Sequence, residues 1–415
     1  MCSLAGASGY CPRIVQGYLE STPMRVTELA LFHVHVPLRR KVRHASAERE
    51  TSDNLIVRTT LQNGIVGYGE GVPRSYVTGE TIDEAFEQLL HTDFAGQLTA
   101  PASFEKAVGV ACRLELWQPR PDPRGCYGNA ARCAVELSLL DAYGKHFSQP
   151  LSAATQLAPD AGPICQSADW VRYSGAITAA SKKREFLAAI VARVVGFHDV
   201  KVKVGVNGQD DGRRLRRIRR IVGRRMRVRV DANEAWRPDE LPDRIREMEP
   251  HQIVSIEQPV KHEHVAALAN VRGRFGIPIM HDESLCSLKD AETAIEQGTC
   301  DLFNIRLSKC GGFVNSVRIA ALAHRHGLGY QLGCQVGETG LLSAAGRHFA
   351  TSVAGIQFLE GSYDRHLLAE QLTNEDVTFG YGGRAPALKG TGLGVSVNPA
   401  ALVHATRREE RIQLA

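Results

Sequence analysis

The sequence predicts an α/β protein, a (β/α)8 barrel preceded by an α+β capping region. Three observations carry that prediction. From about residue 165 onward, short β-rich runs recur eight times at a period of about 25 residues. Segments of helical pattern such as "DAETAIEQG" and "VNSVRIAALAHRHG" separate them. The first third of the chain lacks this alternation. A parallel strand followed by a helix, repeated eight times, closes into a barrel whose active site lies at the C-terminal ends of the strands.

Taken in order, residues 1–24 read as a loose leader, because no basic region is followed by an apolar run. The capping domain spans 25–155. Within it "NLIVRTTLQNGIVGYGEG" alternates at Leu55, Val57 and Thr59 and turns at Asn63-Gly64, a strong hairpin signal. Thr81 to Glu84 is a capping-box start for a helix with Ile82, Phe86, Leu89 and Leu90 on one face, and a longer helix covers about 129–146. Between them "WQPRPDPRGCYG" is a loop, since its prolines deny it regular structure. The barrel occupies 160–360, its strands being "WVRYSGAI", "DVKVKVG", "MRVRVDAN", "IVSIEQP", "IPIMHDES", "DLFNIRLS", "LGYQLGC" and "GIQFLEG". Residues 361–415 form a C-terminal segment.

Composition narrows the functional classes. The chain has 415 residues, 43% hydrophobic and 23% charged, with a net charge of +5. Ten of its arginines fall between Arg213 and Arg229, so the basic character is local. They read as the solvated outer face of a barrel helix and outward positions of the next strand, not as a nucleic-acid-binding surface. No stretch of 18 apolar residues occurs, so no membrane partner is expected. The ten cysteines are scattered without a Cys-x-x-Cys pair, which reads as reduced thiols in a cytoplasmic protein.

The residues ending successive runs are chemically coherent. They are Lys203, Asp231, Glu257, Asp282 and Arg306, at spacings of 28, 26, 25 and 24. Each interval is one βα unit, so all five project into one mouth of the barrel. Three converging carboxylates repel one another unless a divalent cation is bound, and hard oxygen ligands with room for water and substrate suit Mg2+, with Mn2+ as the alternative. Lys201 and Lys203 are two apart on a strand and share a face. A lysine beside another cation in a desolvated site loses basicity and can act as a general base near neutral pH. "HEH" at 262–264 and "HRH" at 324–326 lie away from strand ends and are not expected to hold metal.

"KVKVG", "VDAN", "EQP", "DES" and "NIRLSKCGG", in this order and spacing, resemble the enolase superfamily and specifically its muconate-lactonizing-enzyme subgroup, in which Lys-x-Lys marks the second strand. The resemblance covers nearly the whole chain. It implies a (β/α)8 barrel, or its (β/α)7β variant, and a cap to which the segment around "GLGVSVNP" returns. It further implies Asp231, Glu257 and Asp282 as metal ligands. Lys203 is then the base removing a proton α to a substrate carboxylate, and Lys201 the neighbour that lowers its pKa and helps hold the anion.

One departure matters. The subgroup's pattern has a second catalytic lysine directly after Asn-Ile, where this chain has Arg306. Arginine does not deprotonate, so it cannot be the second base of a two-base racemase, although it can bind an anionic group. One-face chemistry follows: syn elimination of the o-succinylbenzoate synthase type, or cycloisomerisation. Amino-acid or dipeptide epimerisation is the alternative if Lys309, three residues on, reaches the opposite face. A non-catalytic or RNA-associated barrel is the further alternative. The acidic eighth-strand motif of a dipeptide epimerase is not recognised. Candidate contacts for a small carboxylate substrate are Asn233, Glu338 and Glu360, with Arg43 and His44 on a cap loop, "RRKVRHASAERET", that could close over it. Symmetric assemblies are common in such barrels, so a homo-oligomer is expected.

Overall fold

The amino-terminal hairpin grows into a sheet that recruits the far end of the chain. In the computed structural model, which describes residues 22–43, 48–178, 181–206 and 208–414, the cap strands are Val26–Arg43, Glu48–Leu61 and Val66–Gly71. A strand from the C-terminus, Thr406–Gln413, pairs antiparallel with the first of them. The sheet order is therefore C-terminal strand, first, second, third. The Asn63-Gly64 turn is present, with Gly64 at φ +83° and the Leu61 amide donating to Ile65 O at 2.9 Å. Gly67, Gly69 and Gly71 are glycines for a packing reason. A Cβ on any of them would fall within 3 Å of backbone atoms of the helix Asn129–His146, which lies flat on this strand.

The Thr81 capping box forms, with Glu84 N donating to Thr81 Oγ1 and Thr81 N donating to Glu84 Oε2. Its helix, Ile82–His91, buries Phe86 and Leu89, but Leu90 faces solvent instead of joining them. The stretch expected to be a cap loop, residues 39–51, is mostly strand: the first and second strands run on to Arg43 and resume at Glu48.

The barrel strands are Gly175–Ile177, Asp199–Lys203, Arg227–Asp231, Ile253–Glu257, Ile279–His281, Leu302–Ile305, Gly329–Leu332 and Ile356–Leu359, in that order and all parallel. The Ser174 amide donates to Leu359 O at 2.7 Å, joining the first strand's entry to the eighth strand. The first run proved to be two strands. Trp170–Arg172 pairs antiparallel with Arg384–Pro386, and only Gly175–Ile177 enters the barrel. No helix among the described residues is long and apolar enough to cross a membrane, and the described cysteines are free thiols.

Glu70, fully buried on the third cap strand, fastens cap to barrel. Its carboxylate accepts from Asn54 Nδ2 (2.7 Å), Thr339 N (2.9 Å), Thr339 Oγ1 (2.7 Å) and Leu342 N (3.0 Å), the last three at the start of the barrel helix Gly340–Ser352. Glu70→Ala would strand several buried donors at once. We expect a loss of about 2–3 kcal/mol in chemical denaturation.

Candidate active site

Strand register builds the site. In the parallel ladder Lys203 stands beside Asp231, and Asp231 beside Glu257. One residue beyond the next strand comes Asp282, so three carboxylates line successive strand ends. All three are buried, at 2%, 0% and 0% exposure for Asp231, Glu257 and Asp282. Leaving three such groups charged without partners would cost far more than the fold can bear. Cations therefore crowd in. The Lys201 ammonium lies 3.5 Å from Asp231 Oδ2, 3.4 Å from Glu257 Oε1 and 2.8 Å from Glu360 Oε2. Arg306 bridges Asp282 Oδ2 and, at 3.6 Å, Glu257 Oε1. Asn304 Nδ2 donates to the same Glu257 oxygen at 2.8 Å.

The two lysines of the second strand are electrostatically unlike. Burial works against the Lys201 charge, but Glu257, Glu360 and Asp231 outweigh it and hold its pKa well above the usual lysine range. Lys203 is shifted down, by burial first and by the Lys201 charge, against the opposing pull of Asp231. Burial raises Glu257 to about 8 despite Lys201, with Asp231 and Glu360 adding to the rise. Its Oε2, buried, has no hydrogen-bond partner. A buried carboxylate oxygen without a hydrogen-bond donor, on the middle one of three successive strand ends that each carry a carboxylate, is the kind of hard oxygen donor a divalent cation takes. The residues present fit Mg2+.

The expected residues divide into those the fold brings together and those it does not. Lys201, Lys203, Asp231, Glu257, Asp282 and Arg306 converge. Lys309 is held against Asp282. Its side chain is wholly buried, and its amine donates to Asp282 O (2.6 Å), Asp282 Oδ1 (2.8 Å) and Asn304 O (2.9 Å). It braces Asp282 from behind. Glu360 accepts from Lys201 Nζ at 2.8 Å and from Arg229 Nη1 at 2.9 Å. Glu338 accepts from Gln335 N and, with Glu360, Leu307 and Tyr173, lines a small recess beside the mouth. Asn233 donates its backbone amide to Asp231 Oδ1 at 3.0 Å, a fixing contact to that carboxylate. Arg43 ends the first cap strand, and His44 lies outside the described residues.

Two supporting residues escaped the sequence reading. Arg229, expected to face outward, is wholly buried inside the barrel between Gln331, Glu360 and the Phe358 ring. It lies two residues before Asp231, as Asn304 lies two before Arg306, so strand alternation puts each on its neighbour's face. That signal was available. Arg214, likewise expected on a solvated face, is buried against Glu185 and Asp211 and donates to Lys203 O at 2.9 Å. The other helix arginines include exposed ones such as Arg213.

A parallel barrel with carboxylates at three consecutive strand ends and a lysine pair beside them is the architecture of the enolase superfamily. The chain belongs to the mandelate racemase/muconate lactonizing enzyme family within it. The family model for the mandelate racemase/muconate lactonizing enzyme N-terminal domain matches residues 26–154, and that for the enolase C-terminal domain-like unit matches 185–401. The chain is 29% identical to the L-Ala-D/L-Glu epimerase of Clostridium acetobutylicum over 75% of this chain and 83% of that one. With the N-succinyl-L-Arg/Lys racemase of Bacillus cereus it shares 30% identity over 79% and 85%. That racemase's crystal structure superposes with a TM-score of 0.81 at 26% identity, covering 94% of this chain and all of the other. A dipeptide epimerase from Enterococcus faecalis, solved with Mg and L-Leu-L-Tyr, gives a TM-score of 0.76 at 25% identity over 90% and 99%. The protein is thus an enzyme, and its relatives are epimerases and racemases acting on small substrates.

Proposed function

We propose that this chain is a Mg2+-dependent enzyme that removes the proton α to the carboxylate of an amino-acid derivative, a dipeptide or an N-acyl amino acid, with Lys203 as the base. The observation that carries the reading is the register that sets Lys203 beside Asp231 and Asp231 beside Glu257, with Lys201 ion-paired to Asp231, Glu257 and Glu360; burial and the Lys201 charge shift Lys203 downward, toward the neutral amine. Asp231, Glu257 and Asp282 would hold the ion, with Mn2+ able to serve in its place. Bound there, the ion supplies the positive charge that makes an α-proton acidic enough for an amine to remove. Lys201 offers a fixed ammonium to the substrate anion, and Lys203 takes the proton onto Nζ. The substrate class rests on the epimerase and racemase relatives, whose named substrates are dipeptides and N-succinyl amino acids, each with a carboxylate on an α-carbon whose nitrogen is acylated.

The relatives' activities support racemisation or epimerisation over elimination or cycloisomerisation. Lys309, the second base which that outcome would have used, is engaged behind Asp282. Arg306 supports the one-face reading as a second possibility, because a guanidinium does not accept the proton on the opposite face. The test is incubation with dipeptides and N-succinyl amino acids in D2O, with and without Mg2+, read by NMR and chiral chromatography. Absence of metal-dependent deuterium uptake in every substrate would overturn the proposal. Uptake with retained configuration selects the one-face outcome, and uptake with inversion the epimerase.

Arg306→Lys sharpens that result. A lysine at 306 supplies a deprotonatable amine near Asp282. Where the native chain exchanges with retention, the variant should form the inverted isomer about 10²-fold faster than the native chain, the low end of what a positioned general acid or base contributes.

A further inference from the structure

A second cluster of ligand-type side chains lies on the cap, away from the barrel mouth. His33 and His35 are two apart on the first cap strand and project from the same face. Asp53, on the second strand, stands directly opposite His35 in the ladder. His33 Nε2 lies 2.8 Å and His35 Nδ1 2.7 Å from one and the same oxygen, Asp53 Oδ1. Ligand atoms of all three residues fall within 4.8 Å of one another. The side chains are partly open, Asp53 at 36%, so an ion has a route in. The nearest cations are committed elsewhere. Arg408, opposite His33 on the C-terminal strand, reaches toward Asp83, Glu87 and Glu410. Arg74 donates to the Asp53 backbone carbonyl, not to its carboxylate.

We propose that His33, His35 and Asp53 form a second metal site, selective for a divalent transition ion of the Zn2+ kind, with water as fourth ligand. Two imidazole nitrogens and one carboxylate oxygen suit Zn2+ and not Mg2+. Tetrahedral ligands at about 2.05 Å stand about 3.3 Å apart, so each histidine nitrogen needs to move away from Asp53 Oδ1 by only about 0.6 Å to admit the ion. The ion would tie the first two strands together close to Pro37, whose carbonyl accepts from Ala369 N at 2.9 Å after the last barrel strand. It would brace the cap where the hairpin meets the barrel.

The test uses the full chain stripped with a chelator and returned to excess Mg2+, which competes for the barrel carboxylates and hardly for a site that prefers nitrogen. Zn2+ binding is then followed by calorimetry in the native chain and in His33→Gln and His35→Gln. The expected result is one equivalent bound by the native chain and lost in both variants, with Mg2+-dependent exchange retained. Should either variant misfold, the Co2+ spectrum of the native chain in excess Mg2+ decides: d–d bands of tetrahedral intensity without thiolate-to-cobalt charge transfer support the site, and only the weak bands of octahedral Co2+ overturn it. A thiolate band, a native chain that binds no Zn2+ in excess Mg2+, or equal stoichiometry in native and folded variant chains overturns it.

Discussion

Lys203→Ala should lower Mg2+-dependent α-proton exchange by about 10²–10⁴-fold while leaving the fold and Mg2+ binding in place. The side chain sits at the end of its strand beside Asp231, and its loss leaves the three carboxylates Asp231, Glu257 and Asp282 themselves in place. The pH profile provides a second readout. The base works as the neutral amine, so exchange rises with pH as Lys203 loses its proton. Because burial and the Lys201 charge lower its pKa below 10.5, the rising limb moves below the range of an ordinary lysine. In the alanine variant that limb should vanish. A variant that kept the same rise would show that another group carries the proton. Lys201→Ala should behave differently, because it takes the charge from Glu257, Glu360 and Asp231 together and should disturb stability as well as rate.

Lys309→Met should cost about 3–5 kcal/mol of stability. Both members of the Lys309–Asp282 pair are fully buried, and the amine also satisfies the carbonyls of Asp282 and Asn304. Methionine fills the volume but donates nothing. Arg306 still reaches Asp282, which keeps the expected loss toward the lower end of the range. Denaturant melts of the two proteins measure it. Were Lys309 a catalytic base, the variant would instead lose inversion with an unchanged melting curve, so the pair of readouts separates bracing from chemistry.

The barrel and its carboxylates were legible because a βα repeat converts sequence spacing directly into position: one strand end per unit places Lys203, Asp231, Glu257 and Asp282 side by side. What was not legible depended on partners distant in sequence. Trp170–Arg172 reads as the start of a barrel strand, yet it pairs with Arg384–Pro386 far downstream. The path that carries Lys309 inward depends on Gly311 and Gly312 at φ +79° and +111°, and on Asn129 of the cap donating to Lys309 O at 2.8 Å. Arg229 was misread for another reason. Two residues before Asp231 it shares that residue's inward face, a signal strand alternation offered, and there it pairs with Gln331 of the seventh strand and Glu360 just past the eighth. The first cap strand, Val26–Arg43, shows its place only once both of its neighbours are known.

The pairing of Thr406–Gln413 with the first cap strand has a consequence for synthesis on the ribosome. At roughly 5–20 residues per second, the partner of one side of that strand emerges roughly 20–70 s after the strand itself. Throughout that interval a long row of backbone donors and acceptors faces water or a chaperone without its final neighbour, which is the geometry that invites pairing with another chain. The finished enzyme hides this history. The strand Thr406–Gln413, alternately exposed and half-buried and rich in Arg and Glu, is a charged selvedge sewn on late.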